Sequence, residues 1–482
     1  MIVEINYHKE IRYLTTIIIS RMKTIPTAKS PKFIQQLQWI LNPTGYLQTN
    51  HRRYPDIFKA KVIGLGDNVI FTSDPEIMQY VLTHDRKQFT SPSSLNALLR
   101  PLIGDYSVIM LDSDRHRQRR QLVMPSFHGE RLKVYGDLTC RITKEVMEKV
   151  PQNQPFLARE IMQDISLKVI MEAVFGVTQG ERYEELQDRL KKMLDLFNSP
   201  VTSTFLFFPF LQKDWGNWSP WGRFLRQRKA IDDLIYAEIS DRRANPDSDR
   251  TDILSLLMFA KDEQGQGMRD QELRDELMTL LTAGHETTAS AMAWALYWLH
   301  DTPEVKDKLI EELDTLSPNA EGMDIFRLPY LTAVCNETLR LSPSAMLTFT
   351  RVVQEKVEVA GYTFESGDMI QGCMYLTHRR EDLYSNPEQF NPQRFIDRQY
   401  TPYEFIPFGG GSRRCVGEAL AQFEMKLVIA TIMSQYCLKL ADTQPEKQQR
   451  RGLTLSPARG VKMILEGKRQ PQPVRELELS RR

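Results

Sequence analysis

Cysteine is scarce in this 482-residue chain, which carries only Cys140, Cys335, Cys373, Cys415 and Cys437. Their number is odd, their spacing is wide and no C-x-x-C pair occurs, so a zinc ribbon, a thioredoxin-like motif and a disulfide framework are all excluded. A reducing compartment is expected. Also missing is any run of ~20 apolar residues, the length a spanning helix needs. The apolar run Leu14–Ile19 is too short for a secretory h-region and has no small-residue cleavage site. A soluble, cytoplasmic protein is therefore expected. Lys9, Arg12, Arg21 and Lys23 surround that run, which leaves the first 25 residues two readings: a packed terminal helix, or a segment in weak peripheral contact with a membrane surface. Charge of one sign is not in excess, at net +1, and no long charge run marks a nucleic-acid arm, so no nucleic-acid partner is expected. There is no internal repeat and no low-complexity linker, and Pro and Gly are scattered. One large domain over 41–468 follows, with an N-terminal segment 1–40 and a polar tail 469–482.

What is present is mostly helical periodicity, from about 130 to 342. Near the start, Phe58–Phe71 reads as two strands around a Gly-Leu-Gly-Asp-Asn turn. Asp74 and Pro75 then supply an N-cap and a first helical position. From Arg351 to Tyr375 alternation returns. The expected fold class is mainly α with small antiparallel β-sheets.

The stretch "FGGGSRRCVGEALA", Phe408–Ala421, sets Cys415 between three glycines and a helix. Val416, Leu420, Phe423 and Leu427 fall on one helical face, so Cys415 lies at or just before a helix start. The positive end of the helix dipole, with Arg413 and Arg414 nearby, is expected to lower the thiol pKa. Gly409, Gly410 and Gly411 let the backbone approach a flat ligand. Such a loop suits an anionic sulfur, and a thiolate that holds haem iron is one use of it. A buried structural cysteine after a glycine-rich turn is the alternative.

Phe408, Gly411, Cys415 and Gly417 match F-x-x-G-x-x-x-C-x-G and resemble the haem loop of the cytochrome P450 family. Three further stretches carry the same resemblance. "ETLR" places Glu337 and Arg340 at i and i+3, and "FNPQRF" supplies Arg394; the resemblance implies a buried structural network of the three behind the loop. "AGHETT", Ala283–Thr288, interrupts a long apolar helix from about Gln271 to Leu299. Its glycine and threonines are expected to bend the helix and open a groove. The resemblance implies that Thr287 supplies a hydroxyl to dioxygen and that Glu286 helps relay protons. "DRHRQRR" carries His116 and Arg120 at i and i+4, implied propionate ligands together with Arg413 and Arg351. Arg115, Arg117 and Arg119 point elsewhere and are read as a basic docking face for an acidic electron donor.

The resemblance, over about residues 50–465, implies a single cytochrome P450-type haem domain. It implies haem b on Cys415 and a monooxygenase that takes electrons from a separate protein, a ferredoxin in the first place, with a flavodoxin as the alternative. A peroxygenase or hydroperoxide isomerase, and a non-enzymatic haem sensor, are the competing readings. The aromatic stretch Thr204–Phe224, with "SLNALLRPL" and "SAMLTF", points to an apolar small-molecule substrate such as a fatty acid, alkane or terpenoid.

Overall fold

The computed structural model describes residues 23–470 apart from 63, 65–67, 128, 177–178, 197–207, 209–210, 248, 318–319 and 453. The Leu14–Ile19 run, the middle of the first turn, most of Thr204–Phe210 and the tail from 471 lie outside the described residues.

Two short helices, α1 (Lys32–Leu41) and α2 (Pro43–His51), precede a hairpin of β1 (Ile57–Ala60) and β2 (Val69–Thr72). The hairpin pairs Phe58 with Phe71, ring centroids 5.5 Å apart, a cross-strand aromatic contact that fixes register. Helix α3 (Pro75–Thr83) starts as the sequence predicts: the Asp74 side chain accepts from the Glu76 and Ile77 N–H groups and Pro75 is the first helical residue. Strands β3 (Phe89–Thr90), β4 (Arg351–Val353) and β5 (Met369–Gly372) complete a five-stranded sheet ordered β1-β2-β5-β4-β3. Strands β2 and β5 run parallel, so this sheet is mixed. All four residues of β2 are buried, and parallel pairing is found where both faces of a sheet are covered. The smaller sheets are antiparallel.

The helical body contains α4 (Ser113–Val123), α5 (Glu130–Met147), α6 (Ala158–Phe175), α7 (Glu181–Asp195), α8 (Pro220–Ala244), α9 (Asp270–Asp301), α10 (Pro329–Leu341) and α11 (Glu418–Gln435). Helix α9 has 32 residues and so spans about 48 Å. Leu277, Leu281, Ala289, Ala293 and Leu299 are all fully buried along it. Most of its residues are buried, the polar Arg274, Asp275 and Glu276 among them, as in a helix that runs through the middle of a core, and α9 packs on α6, α10 and α11. It stays α-helical through Gly284–Thr288. Ala283, Gly284 and Ala291, small residues in and beside this stretch, face one cavity. Among the described residues no helix is long and apolar enough to cross a membrane.

Candidate active site

The cavity, of about 330 Å³, lies between the middle of α9 and the loop that precedes α11. Cys415 forms part of its wall, so the sulfur is exposed to the cavity while enclosed by protein. The Cys415 N–H donates to the Phe408 carbonyl at 3.0 Å, which closes the loop into a ring, and Phe408 itself lines the cavity. Gly409 and Gly417 also face it, and a Cβ on either would meet nothing within 4 Å. Gly411 has another reason to be glycine. Its φ is +67°, and a Cβ would come within 2.7 Å of the Leu82 carbonyl oxygen. That glycine serves the packing of the loop on α3, not an approach to a ligand.

Helix α11 begins at Glu418, three residues beyond Cys415, with Gly417 as its N-cap. Burial is the largest influence on the thiol and raises its pKa; a Gly417 N–H and the charges of Arg120 and Arg414 oppose it. The expected net lowering is therefore corrected. Part of the reason is that Glu418 pairs with Arg414 at 2.6 Å and offsets its charge. A coordinated metal would hold the sulfur deprotonated in either case.

Behind the loop, the expected acid–arginine network is assembled without solvent. Glu337 and Arg340 are each fully buried and Arg394 nearly so. Glu337 accepts from Arg340 Nε (2.7 Å) and Nη2 (2.9 Å), from Arg394 Nε (3.0 Å) and from the Asn391 N–H (2.8 Å). Arg340 Nη1 also donates to the carbonyls of His378 and Pro387, which ties α10 to the segment leading into the cysteine loop.

On α9, Thr287 faces the cavity and its hydroxyl donates to the Ala283 carbonyl at 2.7 Å. Glu286 does not line the cavity. It accepts from Arg159 (2.7 Å) and Gln163 (2.6 Å) of α6. Successive helical residues point about 100° apart, so the expected acid–alcohol pair is split. Thr287 is in the wall and Glu286 is clamped to the neighbouring helix, which corrects its reading as an acid that reaches the cavity directly.

Helix α4 divides in the same way. His116 and Arg120 line the cavity, and Arg120 Nη1 donates to the Arg414 carbonyl at 2.6 Å. Burial, then the charges of Arg413, Arg120 and Arg86, push the His116 pKa down to about 3, so its ring is neutral. Arg115 and Arg117 are exposed. Arg119 is not, which corrects its place in a docking face. It donates to Glu272 (2.7 Å) and Glu276 (3.1 Å) of α9 and to the Tyr106 carbonyl (2.8 Å). Glu276 is fully buried, and burial raises its pKa to about 7. Together with Asp275, which accepts the Tyr106 N–H, these groups pin the segment that carries Val108 and Ile109 into the cavity wall.

Arg413 lines the cavity, yet its terminal nitrogens donate to the carbonyls of Ser91, Val108 and Leu111. It offers the cavity charge and holds the wall. Arg351 does not line the cavity, contrary to expectation. It is buried against Asp85 (3.1 Å) and the Phe349 and Gly410 carbonyls, where it supports the glycine loop from below. Asp85 also accepts the Ser412 N–H at 3.1 Å.

A haem group fits these residues. It requires a sulfur donor, a flat backbone floor and a cationic rim for two carboxylates. Cys415 supplies the first, Gly409 and Gly417 the second. The third is the positive charge of Arg120 and Arg413 in the wall beside His116, with Arg86 near it, set against Asp85 and against Asp112, which lies 3.6 Å from Arg413.

Sequence reading missed Glu424, a buried acid of α11 that lines the same cavity, its pKa raised to about 8 by burial. The available signal was a lone acid on an otherwise apolar face, one turn from Leu420. Of the apolar stretches singled out, Ser344–Phe349 supplies Ala345, Leu347 and Phe349 to the wall. Neither the described part of Thr204–Phe224 nor "SLNALLRPL" does. Trp221 and Phe224 are buried in the core and Trp218 is exposed.

The cytochrome P450 family profile matches residues 26–464. A putative cytochrome P450 135B1 of Mycobacterium tuberculosis is 33% identical over 445 residues, 92% of each chain. A putative cytochrome P450 138 of the same organism is 31% identical over 444 residues, 91% of this chain and 96% of that one. Two solved structures share the fold. The haem domain of cytochrome P450DA has a TM-score of 0.81 at 21% identity, covering 93% of this chain and 99% of that one. A retinoic acid-bound cyanobacterial CYP120A1 has a TM-score of 0.79 at 23% identity, covering 92% and 100%. With its cavity cysteine and a profile match over nearly its whole length, the chain belongs to the cytochrome P450 family, whose members are monooxygenases with a cysteine-ligated haem iron.

Proposed function

We propose that this protein inserts one oxygen atom of dioxygen into a lipophilic small molecule, with Cys415 as the haem ligand. The observation that carries the reading is the Cys415 sulfur in the wall of an apolar cavity that Thr287 also lines. When bound, haem supplies the activation of dioxygen, and a thiolate donor favours O–O cleavage. The chain's own residues do the rest. His116 and Arg120 offer an N–H and a charge to the propionates, with Arg413 adding charge and holding the wall. Val108, Ile109, Leu347 and Phe349 exclude water and orient an apolar substrate.

Thr287 holds a hydroxyl at the cavity surface through its bond to Ala283 and is the group placed to pass a proton. A positioned proton donor contributes about 10²–10⁴-fold. Thr287→Ala should keep haem content and fold while product formed per electron consumed falls about 10²-fold or more. Product yield equal to wild type, measured against oxygen and reductant uptake, would remove Thr287 from the chemistry. Glu286, held by Arg159 and Gln163, acts at most through a rearrangement of that clamp.

Electrons come from a separate protein, a ferredoxin in preference to a flavodoxin, with the exposed Arg115 and Arg117 as the basic contacts for an acidic donor. The substrate is a fatty acid, alkane or terpenoid. The apolar wall supports this, and a solved structure of the same fold holds retinoic acid, a terpenoid acid. A panel of such compounds should shift the haem spin state. Shifts produced only by small polar ligands would overturn the substrate class.

A further inference from the structure

Helix α1 is built inside out for a surface helix. Its buried residues are Gln35 and Trp39. Its apolar residues Phe33, Ile34, Leu37 and Leu41 are 73%, 43%, 44% and 72% exposed. They recur at i, i+1, i+4 and i+8, a single stripe along one side.

The rotation that turns this stripe outward is fixed by the polar residue underneath. The Gln35 side chain donates to the carbonyls of Ala28 and Ser30 and accepts from Tyr46 Oη (2.9 Å) and the Lys61 N–H (2.9 Å). Beside it, Trp39 packs on Phe71 and Tyr46. Turning the helix to bury the stripe would strip a buried amide of its partners, which is costly.

Charge along the stretch of sequence that holds the helix is as uneven as its polarity. The whole chain holds 62 acidic residues, yet none falls between Ile11 and Pro55, where about six would stand at the chain's average and charge patterning is therefore informative. The same stretch carries Arg12, Arg21, Lys23, Lys29, Lys32, Arg52 and Arg53. Lys29 and Lys32, which lead into the stripe, are exposed.

We propose that the exposed face of α1 seats on the headgroup layer of an anionic lipid membrane. An amphipathic helix with an apolar face and neighbouring lysines and arginines lies in the interface, drawn there by apolar burial and by attraction to negative lipids together. A second copy of the chain is a poorer occupant. A two-fold contact through the stripe would bring the exposed Lys29 and Lys32 toward their own copies. A folded protein partner is poorer too, because one stripe on a ten-residue helix is far short of the roughly 1,200–2,000 Å² that a stable protein interface buries.

The test is flotation of the full-length haem-loaded protein with vesicles of equal parts phosphatidylcholine and phosphatidylglycerol, and with vesicles of phosphatidylcholine alone. Binding is expected only to the anionic vesicles and should weaken as salt rises. The triple variant Phe33→Ser, Leu37→Gln, Leu41→Ser should bind about tenfold more weakly or worse, with an unchanged haem absorption spectrum showing that the fold is intact. Lys29→Gln with Lys32→Gln should weaken binding and flatten its salt dependence. Full binding by the triple variant would place any membrane contact elsewhere and overturn the proposal. So would absence of binding, or self-association of the wild type that the triple variant abolishes.

Discussion

Glu337→Ala is expected to yield little or no folded, haem-loaded protein. Among the described residues Glu337 is the one acid that contacts the buried guanidiniums of Arg340 and Arg394, and it accepts four N–H donors within 3.0 Å. Removal leaves two buried positive charges without a counter-charge, which costs about 3–5 kcal/mol. A domain is typically stable by only about 5–15 kcal/mol. The loss is local in origin but wide in effect, because Arg340 holds the carbonyls of His378 and Pro387 and lies 4.9 Å from the Tyr384 ring centre. Glu337→Gln keeps the shape and some of the hydrogen bonds, so it should be milder than Ala. The check is the yield of soluble haem-loaded protein and its denaturant midpoint. A Glu337→Ala protein with wild-type yield and midpoint would show that the network does not support the loop.

The second large effect is expected at Cys415. Among the described residues it is the one cysteine in the cavity wall; Cys335 and Cys373 are buried, with thiol pKa values raised to about 12 by burial. Cys415→Ala removes the sulfur and leaves the N–H to Phe408 carbonyl bond available to the new residue. The polypeptide should therefore fold with a change within about 1 kcal/mol, while thiolate-type haem ligation and monooxygenase turnover are lost. Destabilisation as large as that of Glu337→Ala would mean the residue is structural first.

Much of this site could be read in the sequence because its motifs are local. Cys415 and Phe408 are seven residues apart, Glu337 and Arg340 three, His116 and Arg120 four, and helical or loop geometry then fixes their direction. What could not be read depends on partners far along the chain. The clamp on Glu286 comes from Arg159, 127 positions away, and those on Arg119 from Glu272 and Glu276, 153 and 157 positions away. Nothing in "HETT" or "HRQRR" encodes which face those neighbours occupy. The resemblance implies Arg413 as a propionate ligand, and its hold on the wall is invisible in the sequence because its acceptors are backbone carbonyls, which leave no mark in side-chain identity. The parallel pairing of β2 with β5 was hidden for the same reason: both strands are short and nearly 300 residues separate them. Cys415 shows a different limit. A helix start and two arginines were legible, but the burial that outweighs them belongs to the assembled cavity.

The central claim is that Cys415 is the sulfur that ligates haem iron. The absorption spectrum of the reduced protein under carbon monoxide, taken on wild type and on Cys415→Ala, tests it most directly. The red-shifted band of thiolate-ligated haem should appear in the wild type and vanish in the variant. Persistence of that band in Cys415→Ala, or a wild-type spectrum of imidazole-ligated haem, would contradict the assignment.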